Sequence, residues 1–122
     1  MTSLFTHISN VRIFVDDHAQ SVRFYRDTLG LPLRTEGPGF AIFDTGAVSL
    51  MLEPGETAGE DDGDLVGRFS GVSLATPDID RTYAVLSERG VEFLHAPSTQ
   101  PWGKMTHFKD PSGNVLTMVQ YV

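Results

Sequence analysis

Polar and apolar residues alternate from Asn10 to Val15. Val11, Ile13 and Val15 fall on one side and Asn10, Arg12 and Phe14 on the other, which predicts a strand with two distinct faces. Asp17 and Gln20 have capping-box spacing, and the helix they open puts Val22, Tyr25 and Leu29 on one face and Arg23 and Arg26 on the other. Gly30 ends it, being able to take the left-handed backbone of a helix stop. Leu31 to Arg34 returns to strand, Gly37-Pro38-Gly39 is a turn, and Phe40 to Phe43 with Ala47 to Leu52 reads as a hairpin around Asp44-Thr45-Gly46. The order is β-α-β-β-β.

The same order then returns. Gly71 to Ala75 is a strand, and a helix from about Asp80 buries Tyr83 and Leu86 and stops at Gly90. Val91 to Leu94 is a strand, and Lys104 to Lys109 pairs with Val115 to Val119 around Asp110-Pro111-Ser112-Gly113-Asn114. The halves register with few gaps: Asp17 with Asp78, Gly30 with Gly90, Phe43 with Phe108, Gly46 with Gly113. Duplication at this scale predicts an α+β fold: two tandem βαβββ modules forming a cupped sheet, helices outside, with a groove between the modules. Residues 1–122 form one domain, with module one at about 1–55, an acidic linker at about 54–67 and module two at about 68–122.

Composition narrows the classes. There is no cysteine, which excludes disulfides, thiolate metal sites and cysteine nucleophiles. No apolar run has the length of a membrane span and the N-terminus lacks a secretory leader, so the expectation is a cytoplasmic protein without a membrane partner. A net charge of −7 argues against nucleic acid. Six of the sixteen acids lie between Glu53 and Asp64, read as a solvated loop, with attraction of a cationic ligand as the sharper alternative.

Phe24-Tyr25-Arg26-Asp27-Thr28-Leu29-Gly30-Leu31 resembles the F-Y-x-x-x-L-G-hydrophobic signature of the vicinal oxygen chelate superfamily, to which glyoxalase I, extradiol dioxygenases and bleomycin-resistance proteins belong. Pro101-Trp102-Gly103 followed by Asp110-Pro111-Ser112-Gly113-Asn114 is similar to the second-module signature of small members. The resemblance covers nearly the whole chain and implies the fold more firmly than any one activity. It also implies where a metal would be held: at Asn10, near Leu50, at Gly71 and at Thr117. These residues and their neighbours include no histidine or carboxylate, so neither metal nor other cofactor is expected.

Of the histidines, His18 and His95 read as surface residues and His7 lies near a terminus. His107 sits inside a strand, either hydrogen-bonded to backbone or in contact with a ligand. Glu53 reads as solvated. Arg12 shares the pocket-facing side of its strand with Asn10, and either meets an anionic ligand or forms an internal ion pair with Glu36 or another acid. Trp102 offers a stacking surface at the pocket mouth or packs on the sheet. On the hairpin either Phe40 and Ile42 or Ala41 and Phe43 face inward. The expected ligand-binding set is Asn10, Arg12, Phe40, Leu50, Leu52, Ser73, Trp102, His107 and Thr117, with no catalytic residue assigned.

The leading expectation is a metal-independent small-molecule binding protein, with antibiotic sequestration as one role, and homodimeric as the resemblance implies. The alternative is a lyase, isomerase or dioxygenase-like enzyme of the same superfamily, metal-free or with relocated ligands. A purely structural or regulatory partner is a third reading.

Overall fold

The computed structural model describes residues 3–55 and 65–122. The acidic stretch between these ranges, expected to be a solvated loop, lies outside the described residues. Strands β1 (Asn10–Val15), β2 (Leu33–Gly37), β3 (Phe40–Asp44) and β4 (Ser49–Pro54) form one sheet in the order β1-β4-β3-β2. Helix α1 (His18–Arg23) connects β1 to it, capped by Asp17, whose carboxylate accepts from the Gln20 amide at 3.0 Å. It runs into a wider π-helical turn over Phe24–Thr28. Gly30 follows with φ +79°, the left-handed stop expected of it.

The second half builds a larger sheet. Strands β5 (Phe69–Ala75), β6 (Glu92–Phe93), β8 (Gly103–Lys109) and β9 (Val115–Tyr121) run in the order β5-β9-β8-β6, and β7 (Ser98–Gln100) pairs with β8. Helix α2 (Ile79–Glu88) is capped by Asp78 in the same way as α1. β6 is shorter than the sequence pattern implies because the Val91 amide is still bonded to the Leu86 carbonyl at the end of α2, at 3.0 Å. β7 was not expected at all.

Between helices and sheets lies one apolar cluster that draws on both halves: Ile13, Val15, Tyr25, Phe43, Leu50 and Leu52 from the first, Ile79, Leu86, Phe108, Leu116 and Met118 from the second. Burial of this surface is the main favourable term in folding. Tyr83, expected among the buried residues of α2, is half-buried and packs edge-on against Phe93.

The turn Asp110-Pro111-Ser112-Gly113-Asn114 is the seam between the halves. Asn114 is 1% exposed, accepts from the Gly67 amide at 2.8 Å, and donates from Nδ2 to the Phe14 carbonyl at 2.8 Å. Ser112 exchanges hydrogen bonds with Asp16 through both its hydroxyl and the Asp16 amide. The Asp110 carboxylate accepts from the amides of Ser112 and Asn114 and from the Tyr25 hydroxyl at 2.8 Å. The motif therefore holds the end of β1 and the first helix onto the second sheet. Among the described residues, the β3–β4 turn and the end of β5 share no such hydrogen bonds. A cavity opens there.

Candidate functional site

The cavity has a volume of about 610 Å³. Its aliphatic walls come from Val11, Leu31, Leu50, Val72 and Leu74, and its polar groups from Arg12, Thr45, Ser70 and Ser73. Two strands that each stand at the end of their sheet, β1 and β5, face it.

β5 makes the room. Phe69 pairs with Val115 and Ser73 with Thr117, so four steps along β5 match two along β9. The surplus residues buckle outward as a bulge. Gly71 takes φ +74° there, a conformation that L side chains avoid. Ser70 stands in for the lost ladder: its hydroxyl donates to the Val115 carbonyl at 2.7 Å and accepts from the Val72 amide at 3.2 Å. β1 pairs with β4 without a shift.

Arg12 lies at the cavity rim. Its guanidinium is 3.6 Å from the Glu53 carboxylate and 5.7 Å from the centre of the Phe14 ring, with its side chain 56% exposed. Its partner is thus Glu53 rather than Glu36, which instead meets His18 at 3.1 Å. Glu53, expected to be solvated, is only 15% exposed at its side chain because β4 continues through it beside β1. His18 is correspondingly half-buried rather than a surface residue. Exposed ion pairs contribute about 1 kcal/mol or less. Arg12→Ala should therefore melt within a few degrees of wild type, and a larger loss in a thermal melt would make Arg12 a structural residue.

The register of β1 and β4 decides which residues face together. Val11 stands opposite Leu50 and Ile13 opposite Leu52, whereas Asn10, Arg12 and Phe14 stand opposite Ser49, Met51 and Glu53. Leu50 and Leu52 are therefore on the helix side, 1% and 0% exposed. Leu50 still reaches the cavity from that side, and Leu52 is a core residue. On β3 the buried pair is Ala41 and Phe43, which turns Phe40 and Ile42 to the other face, both half-buried. Asn10 is exposed and donates to the Ser9 hydroxyl at 3.3 Å. Phe40, Asn10, Leu52, Trp102, His107 and Thr117 are not among the cavity-lining residues. Trp102 stands in the turn before β8, its ring centre 5.6 Å from that of Tyr121.

Thr117 and His107 nevertheless share a row with the cavity residue Ser73, since Ser73 pairs with Thr117 and Thr117 with His107 on adjacent strands. His107 is half-buried. Its ring is bonded to the ring of His95 at 2.9 Å, not to backbone. Burial, with the nearby His95 adding to it, lowers the His107 pKa below the ordinary 6.5.

A metal does not fit the positions that the resemblance points to. With Leu50 turned into the core, its groove-facing neighbours on β4 are Ser49 and Met51, Glu53 further along that face is engaged with Arg12, and Gly71 is the crest of a bulge. Asn10 and Thr117 complete those positions, which offer no imidazole and no carboxylate. Among the described residues no three of His, Cys, Asp and Glu are grouped so as to hold an ion. Protein purified without chelators is expected to carry no stoichiometric transition metal. About one equivalent by elemental analysis, lost with an activity on chelation, would overturn that.

Residues 5–118 match the family model described as Glyoxalase/Bleomycin resistance protein/Dioxygenase superfamily. An uncharacterized protein of Bacillus subtilis (strain 168), YraH, is 32% identical over 117 residues, 87% of this chain and 91% of that one. A member of the same superfamily from Sphaerobacter thermophilus DSM 20745 superposes with a TM-score of 0.84 at 30% identity, covering 97% of this chain and 99% of its own. TnmS3, an antibiotic binding protein from Streptomyces sp. CB03234, does so with a TM-score of 0.79 at 28% identity, covering 99% and 100%.

Proposed function

We propose that this chain, which belongs to the Glyoxalase/Bleomycin resistance protein/Dioxygenase superfamily, is a metal-independent binding protein for a small, largely apolar molecule, with antibiotic sequestration as its role. The observation that carries this reading is the cavity between β1 and the buckled β5. Its volume of about 610 Å³ and its aliphatic walls with a few polar groups match what drug-sized ligands occupy. Arg12 at the rim would meet a carboxylate or polar oxygen of that ligand, exchanging its loose pairing with Glu53 for a closer one. The likeness to an antibiotic binding protein along the full chain supports the choice of ligand class. The reading includes a cytoplasmic homodimer, which sedimentation would test. Exposed Leu4, Phe5 and Ile8 ahead of β1 are the kind of surface a second copy covers.

Thermal-shift screening against polycyclic antibiotics and aromatic metabolites is the direct test. A ligand at a hundredfold over its Kd should stabilise the fold by about 2.7 kcal/mol. Ser73→Tyr should fold normally, because the position is exposed on a strand, and should abolish the shift by filling the cavity. An unchanged shift in that variant would move the ligand elsewhere. Conversion of the ligand to a product would favour the lyase, isomerase or dioxygenase alternative.

A further inference from the structure

The loop that carries His95 is pinned to β8 at two points. The Leu94 amide donates to the His107 carbonyl at 2.9 Å, and the Thr106 hydroxyl donates to the His95 carbonyl at 2.5 Å. Thr106 is fully buried, so this anchor is held by the core itself. The His95 imidazole is thereby fixed with Nδ1 2.8 Å from the Ala96 carbonyl oxygen. A carbonyl oxygen only accepts, so Nδ1 bears the proton and, in neutral His95, Nε2 is bare. That bare nitrogen lies 2.9 Å from Nδ1 of His107, which must donate to it. The chain of bonds leaves His107 with its proton on Nδ1 and a free lone pair on Nε2. Nε2 has no partner among the described residues and is not shut away from solvent.

Its surroundings are those of a binding face. Ser73, Thr117 and His107 stand side by side on β5, β9 and β8, strands spaced about 4.8 Å apart. Neither hydroxyl of the row has a partner among the described residues. The Phe69 ring, its centre 6.0 Å from that of His107, walls the row on one side. Ser73 also lines the cavity, so the row begins where the cavity ends.

We propose that His107 Nε2 is a built hydrogen-bond acceptor that selects ligands carrying a hydroxyl donor, phenols or enols, over their ethers. This deepens the binding function proposed above and rests on it. The proton chain also sets the pH response. One proton added to the pair puts hydrogen on His107 Nε2 whichever ring takes the charge: His107 keeps its Nδ1 proton and gains one on Nε2, or it passes the Nδ1 proton to His95 and carries the new one on Nε2. The acceptor becomes a donor in a single step. Because burial and His95 both hold the His107 pKa below its ordinary value, the acceptor form is the one present at neutral pH. The charged groups nearest along the strands are Lys109, two residues along β8, and Glu92 on β6, already paired with each other at 3.3 Å. β5 and β9 bring Phe69, Ser73, Val115 and Thr117, none of which titrates in this range.

Long-range ¹H–¹⁵N NMR of the imidazoles in the full chain reads the tautomers without any ligand. Both rings should show Nδ1–H and a bare nitrogen on His107 at pH 8. An Nε2–H tautomer of His107 would overturn the proposal. Binding of 2-naphthol against 2-methoxynaphthalene then reads the selectivity. The naphthol should bind about tenfold more tightly at pH 8, the scale of one well-made hydrogen bond to a group otherwise left unpaired. That preference should be lost as pH falls through the point where the same NMR signals show the pair taking up a proton, and it should be absent in His107→Phe. It should shrink in His95→Ala, an exposed position whose loss frees the tautomer without disturbing the core. Equal binding of the two naphthalenes by wild type overturns this proposal alone. Failure of both to bind, with none of the screened ligands shifting the melt, overturns the binding function together with it. A preference that survives in both variants places the acceptor on another residue.

Discussion

Asp110→Ala is expected to lower the melting temperature by about 10–20 °C. The carboxylate is 5% exposed and receives the Ser112 and Asn114 amides, each at 2.9 Å, together with the Tyr25 hydroxyl and the Asn114 side-chain amide. Alanine leaves three buried or half-buried donors without an acceptor and takes from the Asn114 side-chain amide one of its two, at about 1 kcal/mol or more each. Tyr25→Phe removes one donor and should cost about 1–2 kcal/mol. The same hydroxyl sets an alkaline limit. Burial and the neighbouring Asp110 carboxylate raise the Tyr25 pKa well above its ordinary 10.0. The folded chain therefore keeps a proton that the unfolded chain releases. Stability from this source is complete below about pH 10 and is lost as pH rises through the folded pKa. Denaturant melts at pH 8 and pH 11 should differ more for wild type than for Tyr25→Phe. A drop of only a few degrees in Asp110→Ala would show that the halves are held by their shared core and not by this turn.

Gly103→Ala is expected to disrupt the second sheet, at a cost of about 3 kcal/mol or more. Gly103 has φ +150°, and a Cβ there would lie 1.9 Å from the Gln120 carbonyl oxygen and 3.0 Å from its carbon. The obstacle is backbone, held in place because Gly103 pairs with Tyr121 on one side and with Gln100 on the other. β9 must therefore separate from β8 at this end, breaking the bond from the Val122 amide to the Trp102 carbonyl and parting Trp102 from Tyr121. Trp102 emission should shift as the melting temperature falls. Gly39→Ala is the matched control, since a Cβ there meets nothing within 4 Å and its φ is not positive. A Gly103→Ala protein that melts with wild type would mean that β9 yields at this point.

The frame of the fold was legible because its signals are local and repeated: the two capped helices, the glycine stops and the alternation of β1. The site was less so. In Ala47 to Leu52 both alternating sets hold an apolar residue, Leu50 on one side and Met51 on the other, and only the register against β1 says which faces the helix. β7 escaped notice because Ser98-Thr99-Gln100 has no apolar residue to alternate. The sequence pattern marks a strand only from Gly71 to Ala75, and that glycine is the one sign of the β5 bulge. Of the motifs conspicuous in the sequence, the Asp110 to Asn114 turn makes the joint between halves, and the Trp102 ring lies 5.6 Å from that of Tyr121 at a strand end. His107 was singled out correctly as a strand residue, but its partner, His95, lies on a loop twelve residues earlier and no local pattern links the two.

The bulge in β5 matters for association between molecules as well as for ligands. β1 and β5 are counterparts in a duplicated frame, and both end their sheets; at the far end of β1 the Phe14 backbone is taken up by a single bridge to Val66 and by the Asn114 side chain. Two straight strands facing each other at sheet ends would tend to zip together, closing the space between them, or to add a strand from another molecule and start an aggregate. β1 is straight and β5 carries slack, with Ser70 answering the backbone groups released by it. The two cannot match step for step. The mismatch between the two strands at Ser70-Gly71-Val72 thus keeps the space open and makes this flank of the sheet a poor template for misassembly.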